Sequence, residues 1–244
     1  KRGMECHAWI NPLRFCNTAG DVTTPGWPCN SLNVDKEVWN NGWIIYQYQA
    51  SESSKTTKFC YDPSLSEVRT RINNVCAVIA GNYDVDGIVW DDYFYPDGIP
   101  EDSSAGDYDR YQSYLSNGGT MSMANWRREN CNTMIREAYK SIKSIKPYIK
   151  FGLAPAGAGG GNPRNCAFTD KEKSEISVLN GNINLNVTWS DWQYNTIYAD
   201  LIAWLREGTI DYISPQLYWS TKHGTNPFDK MCQWWQEVSS YFGR

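Results

Sequence analysis

Apolar residues fall along the chain in two alternating rhythms. Four short runs carry the apolar density of β-strands: residues 4–11 (MECHAWIN), 87–94 (GIVWDDYF), 149–154 (IKFGLA) and 210–218 (IDYISPQLY). A helical spacing follows each one. After the first, Asp62-Pro63 supplies a cap residue and a proline at the first helical position, and Val68, Ile72, Val75, Cys76 and Ile79 fall on one face. After the second, residues 126–146 put Cys131, Met134, Ile135, Ala138, Ile142 and Ile145 on one stripe. Arg127, Arg128, Glu137, Lys140 and Lys143 take the opposite side, and Pro147 ends the helix. After the third, residues 191–207 carry Ile197, Leu201, Trp204 and Leu205, closed by Gly208. Residues 227–241 form a last helical stretch, and residues 43–49 and 57–61 are spaced as a small hairpin inside the first long link.

Strand–helix alternation predicts a parallel sheet with right-handed crossovers. Its links are lopsided. Helix-to-strand links are short (81–86, 147–148, 208–209), whereas strand-to-helix links are long (12–62, 95–124, 155–190, 219–226). In parallel α/β folds the loops after the strands' carboxyl ends carry the site, so the extra sequence has accumulated on the functional face. Four βα units stand where a (β/α)8 barrel needs eight. The pattern predicts an α/β protein that is either an incomplete TIM-type barrel or a small open sheet. The opening Lys1-Arg2-Gly3 reads as the last turn and glycine cap of a preceding helix, which favours the barrel. Residues 1–244 are then one barrel domain, an apparent fragment with two open sheet edges.

Composition narrows the chemistry. Of 244 residues, 41% are apolar and 14% aromatic, and the formal charge is −4. That is a globular composition without the broad basic footprint that nucleic acid requires. No apolar run approaches the roughly 18 residues of a membrane span. Only His7 and His223 exist, which argues against a histidine-built metal site, and no cofactor is implied. Twelve Trp and sixteen Tyr give more ring surface than a core of this size uses. No pair of the eight cysteines stands as CxxC, which excludes zinc ribbons and thioredoxin-like motifs. Cys6, Cys76, Cys131 and Cys232 sit in regular apolar patterns and read as small buried hydrophobes. Cys16, Cys29, Cys60 and Cys166 lie in loop-like sequence, to pair in an oxidising compartment or stay thiols.

The sharpest chemical feature is VDGIVWDDYFYP (85–96), where two adjacent carboxylates, Asp91 and Asp92, end an apolar strand. Charge in such a place needs a partner or a task. Neighbours on a strand point to opposite faces, so only one of the two is expected to aim inward. The plainer alternative has one aspartate capping a turn and the other binding an arginine. On the first strand Cys6, Ala8 and Ile10 suit a helix-packed face, which sends His7, Trp9 and Asn11 to the other side near the mouth. On the fourth strand Ser214, Gln216 and Tyr218 share a face, and Gln216 is placed to bind a sugar hydroxyl, with Trp219 beside it as platform or core. GAGGG (157–161) lacks both phosphate-loop frames and reads as a flexible site loop. Asn186-Val187-Thr188 fits a glycosylation sequon, and no G-x-S-x-G supports serine hydrolysis.

Four stretches together resemble the glycosyl-hydrolase-like family 10 proteins of bacterial envelopes: RGMECHAWINPLR (2–14), YDVDGIVWDDYFYP (83–96), NWRRENCNTMIREAYKSIKSIKPYIKFGLAP (125–155) and YADLIAWLREGTIDYISPQLYW (198–219). The resemblance implies a TIM barrel of which strands three to six are present, with two strands before Lys1 and at least one after Arg244. It implies glycoside hydrolysis of a carbohydrate polymer, including peptidoglycan strands stripped of peptides, in the cell envelope or outside the cell. By position, Asp91 and Asp92 match the family's acidic pair. His7, Asn11 and Arg14 match its third-strand motif, Trp126-Arg127-Arg128 the opening of the next helix, and Gln216, Tyr218 and Trp219 the end of the sixth strand. Val89 stands where members often have His, and Ala154-Pro155-Ala156-Gly157 where they often have Ser-Pro-Phe-Gly.

Glycosidases commonly use two carboxyl groups, about 5–5.5 Å apart for retention or roughly 6.5–9.5 Å for inversion, one of them with a raised pKa. By analogy with other barrel glycosidases, Asp91 is the inward catalytic carboxylate and Asp92 its helper or a substrate ligand. Arg127 or Arg128 then keeps one of them ionised. The second catalytic carboxyl is Glu101, Asp102, Asp191, or a residue on the absent strands. Trp9, Tyr95, Trp126, Tyr218 and Trp219 stack on sugar faces at the mouth. Two other readings remain: a non-catalytic carbohydrate-binding barrel, and a metal-assisted deacetylase using His7 with the aspartates.

Overall fold

A computed structural model describes residues 3–16, 41–50, 55–157, 168–187 and 190–244. In chain order the elements are β1 (His7–Ile10), β2 (Arg14–Cys16), β3 (Ile44–Ala50), β4 (Lys55–Tyr61), α1 (Ser66–Asn82), β5 (Gly87–Trp90), α2 (Tyr108–Ser116), α3 (Met123–Ile145), β6 (Lys150–Leu153) and α4 (Asp170–Glu175). A π-helical turn (Trp192–Thr196), α5 (Leu201–Glu207), β7 (Tyr212–Ile213) and α6 (Phe228–Tyr241) complete them.

The four strands of the pattern are all present and pair in parallel in the order β1-β5-β6-β7. They are shorter than the apolar runs, which extend past the ladders at one or both ends, by residues 4–6 before β1 and 91–94 after β5 for example. The hairpin exists as β3 against β4, and β2, which springs from the end of β1, adds a third antiparallel strand. Among the described residues the parallel sheet is open at β1 and β7, and no barrel is closed. Among the described residues no helix is long and apolar enough to cross a membrane.

One face of the sheet packs on helices. Ile88 and Trp90 of β5 and Phe151 and Leu153 of β6 are buried against Val68, Ile72, Cys76 and Ala80 of α1 and the Met134, Ile135, Ala138 and Ile142 stripe of α3. Trp90 meets Phe151 edge-on, ring centroids 5.0 Å apart. The other face carries His7 and Trp9 of β1, Gly87 and Val89 of β5, Gly152 of β6 and Tyr212 of β7, as strand alternation requires. The glycines on this face have a packing reason: a Cβ on Gly87 would overlap the His7 ring, and one on Gly152 the Tyr212 ring.

Four local expectations are corrected. Asp62 is no helix cap: Leu65 precedes α1 without a side-chain cap, and Asp62 is fully buried against Arg110 (2.9 Å). Residues 191–207 are not one helix. Tyr198 takes a left-handed backbone (φ 57°), and Asp200 starts α5 afresh by accepting from the Ala203 N–H. Cys6 is exposed, since it lies just ahead of an edge strand, whereas Cys76 and Cys131 are buried as expected. Cys60 is a buried free thiol on β4 rather than a loop cysteine. Cys29, Cys166, Thr188 and most of the glycine-rich loop lie outside the described residues.

Candidate active site

The site forms where the carboxyl ends of β1, β5, β6 and β7 come together. β5 ends at Trp90, yet the ladder runs one step further, with the Asp91 N–H donating to the Ile10 carbonyl (3.0 Å) and the Ala154 N–H to the Trp90 carbonyl (2.8 Å). There the backbone bends, because the Asp92 N–H donates to Asp91 Oδ1 (2.9 Å). That bond releases Asp92 from strand alternation. The two carboxyl groups therefore do not diverge, as alternation predicts, and each feels the other electrostatically.

Neighbouring strands hold the pair. Parallel pairing beyond β7 seats Gln216, whose N–H donates to the Pro155 carbonyl (2.8 Å). Gln216 Nε2 donates to Asp91 Oδ1 (3.0 Å) and to the Ala154 carbonyl (2.8 Å), while its Oε1 accepts from the Tyr218 hydroxyl (2.6 Å). These partners fix the amide's orientation. Gln216 thus binds the acidic pair rather than standing free for a sugar hydroxyl. Asn11, at the end of β1, offers Nδ2 to Asp91 Oδ2 at 3.5 Å and accepts the Arg14 N–H at its Oδ1 (3.3 Å). Three donors therefore address Asp91. Burial foremost, then the neighbouring Asp91 charge, raises the pKa of Asp92 from 3.8 to about 6.

The rim carries Arg14, whose guanidinium lies 4.5 Å from the centre of the Tyr93 ring, and Tyr218, which is 82% exposed. Tyr93 is the residue that sequence reading passed over. Its signal is position, three residues beyond the end of β5 and next to the acidic pair. Trp9 is 59% exposed on the uncovered face of the sheet, opposite Val89 in register.

Other candidates lie elsewhere. His7 opens β1 and pairs in register with Gly87, four residues before Asp91, about 13 Å along a strand. It bonds Tyr212 (2.5 Å) and Glu5 (3.0 Å) at the amino end of the sheet, too far from the aspartates to hold one metal ion with them. Arg127 is fully buried in a two-pronged pair with buried Asp107 (2.7 and 2.9 Å), and also donates to the Pro100 carbonyl and the Tyr198 hydroxyl. Arg128 donates to the Tyr194 carbonyl and to Asn125 Oδ1. None of these partners belongs to the acidic pair, and Arg128 keeps a buried Nε without a hydrogen-bond partner. Tyr95 and Trp126 are core rings rather than sugar platforms. Tyr95 packs edge-on to Tyr198 and accepts from Asn130, and Trp126 packs on Tyr111 and Tyr114. Trp219, half-buried, faces His223 at 6.1 Å. Of the proposed second carboxyls, Glu101 accepts from Tyr198, Asp102 from Ser104 and Asp191 from Asn195.

Comparison with known proteins adds an independent line. The family model described as Glycosyl hydrolase-like 10 matches residues 1–241. The chain is 30% identical over 240 residues to the protein named glycosyl hydrolase DigH of Escherichia coli K12, covering 98% of this chain and 48% of that protein. It is likewise 30% identical over 237 residues to glycosyl hydrolase YngK of Bacillus subtilis 168, covering 96% of this chain and 40% of that one. The chain thus spans less than half the length of these relatives.

Proposed function

We propose that this chain, which belongs to the glycosyl hydrolase-like 10 family, carries the catalytic carboxyls of a glycoside hydrolase that cuts a bacterial polysaccharide or peptidoglycan glycan strand. On this reading the open sheet is the third to sixth strands of a (β/α)8 barrel, and the protein works in the cell envelope or outside the cell. Metal and cofactor have no part in it.

The observation that carries the reading is the acidic pair at the end of β5, with Asp91 fixed by Gln216 and Asn11 and Asp92 at a pKa of about 6. Acid catalysis of glycoside cleavage needs one carboxyl that keeps its proton near neutral pH and one that serves as an anion. Asp92 has the first character, because burial disfavours its charge. Asp91 is placed for the second role, with Gln216, Asn11 and the Asp92 N–H turned toward its oxygens. This reverses the expected division, in which Asp91 was the principal catalytic group and Asp92 its helper. Tyr218 and the Arg14–Tyr93 stack supply flat surface at the rim for sugar rings.

The test is release of new reducing ends from peptide-free bacterial glycan strands by the complete protein. Asp91→Asn and Asp92→Asn should each lower the rate by about 10²–10⁴-fold with unchanged circular dichroism, the usual worth of a positioned acid or base. Turnover by either variant at the wild-type rate overturns its assignment. Tight binding of the strands by wild type without any new reducing end would make the chain part of a carbohydrate-binding barrel instead.

A further inference from the structure

Gln216 uses both protons and the oxygen of its amide. Nε2 donates to Asp91 Oδ1 (3.0 Å) and to the Ala154 carbonyl (2.8 Å), and Oε1 accepts from the Tyr218 hydroxyl (2.6 Å). The backbone beneath is clamped by the chain that follows β6. The Gln216 N–H donates to the Pro155 carbonyl (2.8 Å), and the Gly157 N–H donates to the Gln216 carbonyl (3.1 Å). A Cβ on Gly157 would overlap that carbonyl oxygen, so this close seat requires glycine. Tyr218 is held differently. It lies two residues on, along the same side of the extended chain, and 82% of it is exposed, so packing does not fix its ring. The bond from its hydroxyl to Gln216 does.

We infer that Tyr218 is, through its hydroxyl, a positioning residue that acts on Asp91 by way of the Gln216 amide; what Asp91 then does rests on the hydrolase reading above. Two effects run through the same three atoms. The hydroxyl donates to the amide oxygen and draws electron density from the amide nitrogen, which makes Nε2–H a stronger donor to Asp91 Oδ1, as linked hydrogen bonds polarise one another. The same bond sets the exposed ring at a fixed distance and tilt from Asp91. A sugar lying on that ring is therefore registered against the acidic pair, and reacting groups tolerate little misplacement. In this role neither the Tyr218 hydroxyl nor Gln216 touches a reacting atom. A hydroxyl that served the sugar directly would work whether or not Gln216 were present, and this difference makes the inference testable.

The experiment is a double-mutant cycle in the complete protein, with peptide-free bacterial glycan strands as the probe. Tyr218→Phe keeps the ring and removes the tether, at a position too exposed for the change to unfold the protein. It should lower kcat about three- to tenfold, the worth of one neutral hydrogen bond, and leave KM within about twofold. Tyr218→Leu, which loses the ring as well, should also raise KM. Gln216→Met removes the amide, and in that background Tyr218→Phe should have no further effect. A Phe effect of equal size in both backgrounds, or wild-type kcat in Tyr218→Phe, overturns the inference and leaves the hydrolase reading standing. A second readout needs no turnover. With nitrogen-15 glutamine, the side-chain amide protons of Gln216, assigned by their loss in Gln216→Met, should exchange slowly with solvent in the wild type and faster in Tyr218→Phe. Unchanged exchange overturns the inference by itself. Absence of cleavage by the wild type, with the exchange difference present, overturns the hydrolase reading and leaves the coupling of Tyr218 to Gln216 in place.

Discussion

The Asp92 carboxyl holds its proton to about pH 6, where an unburied aspartate has lost it near 3.8. Burial is the larger cause and the Asp91 charge the second, so the folded protein binds a proton across this window that the unfolded chain has released. By linkage, ionising Asp92 removes stability as pH rises from about 4 to about 6, and the full penalty stands above that. Asp92→Asn, close in shape to the protonated acid, escapes the penalty. Its melting temperature should match wild type near pH 4 and exceed it at pH 7.5, read by calorimetry at both values. A difference that does not change with pH would mean that Asp92 ionises freely. At this scale the sequence was informative about identity and misleading about direction. Charge at the end of an apolar run marked Asp91 and Asp92, because carboxylates are rarely spent there without a task. Their convergence was hidden, since it depends on one side-chain-to-backbone bond that ends alternation at Trp90. Rings misled in the same way: Tyr95 and Tyr218 are both tyrosines near strand ends, yet one is core and the other rim.

Helix α3 shows what element-level patterning reaches and where it stops. Its apolar stripe is buried at Cys131, Met134, Ile135, Ala138 and Ile142 as the spacing required, whereas Ile145, in the last turn, is exposed. Arg127 falls on the polar side of that count and is nonetheless fully buried, because the loop after β5 folds over the start of the helix and brings Asp107 and the Pro100 carbonyl onto its guanidinium. Periodicity describes a helix against a generic core and holds no information about a particular loop. The pair ties the segment that follows the acidic residues to α3 and to Tyr198. Removing one member of a buried ion pair leaves an uncompensated charge, at a cost of about 3–5 kcal/mol, whereas replacing both with apolar groups is often neutral. Arg127→Met should therefore lower unfolding free energy by that amount, and Arg127→Met combined with Asp107→Leu should recover most of it. Urea denaturation of the three variants checks this. Equal losses in the single and double variants would show that the charge left on Asp107 is not what destabilises.

At the scale of the molecule the alternation of strand and helix was enough to read the parallel sheet and the end at which its long links gather. The long links did gather at the carboxyl ends, where Asn11, Asp91 and Gln216 meet. What alternation could not convey is how the far face of the sheet is covered. That face carries His7 and Tyr212 laid over Gly87 and Gly152 near one end and Trp9 at 59% exposure further along, between edges at β1 and β7 that pair with nothing among the described residues. A large exposed indole next to an unpaired strand edge is a surface that seeks a partner. The 244-residue chain alone is therefore expected to associate with itself in a concentration-dependent way and to enhance the fluorescence of a hydrophobic dye. Trp9→Glu, which puts a charge on the β1 edge, should weaken both effects without disturbing the helices that pack the opposite face. Sedimentation velocity over a tenfold concentration range separates the outcomes. A wild-type chain that stays monomeric and dye-silent would mean that residues beyond those described here already cover the face, and Trp9 would then be a buried residue of the complete fold.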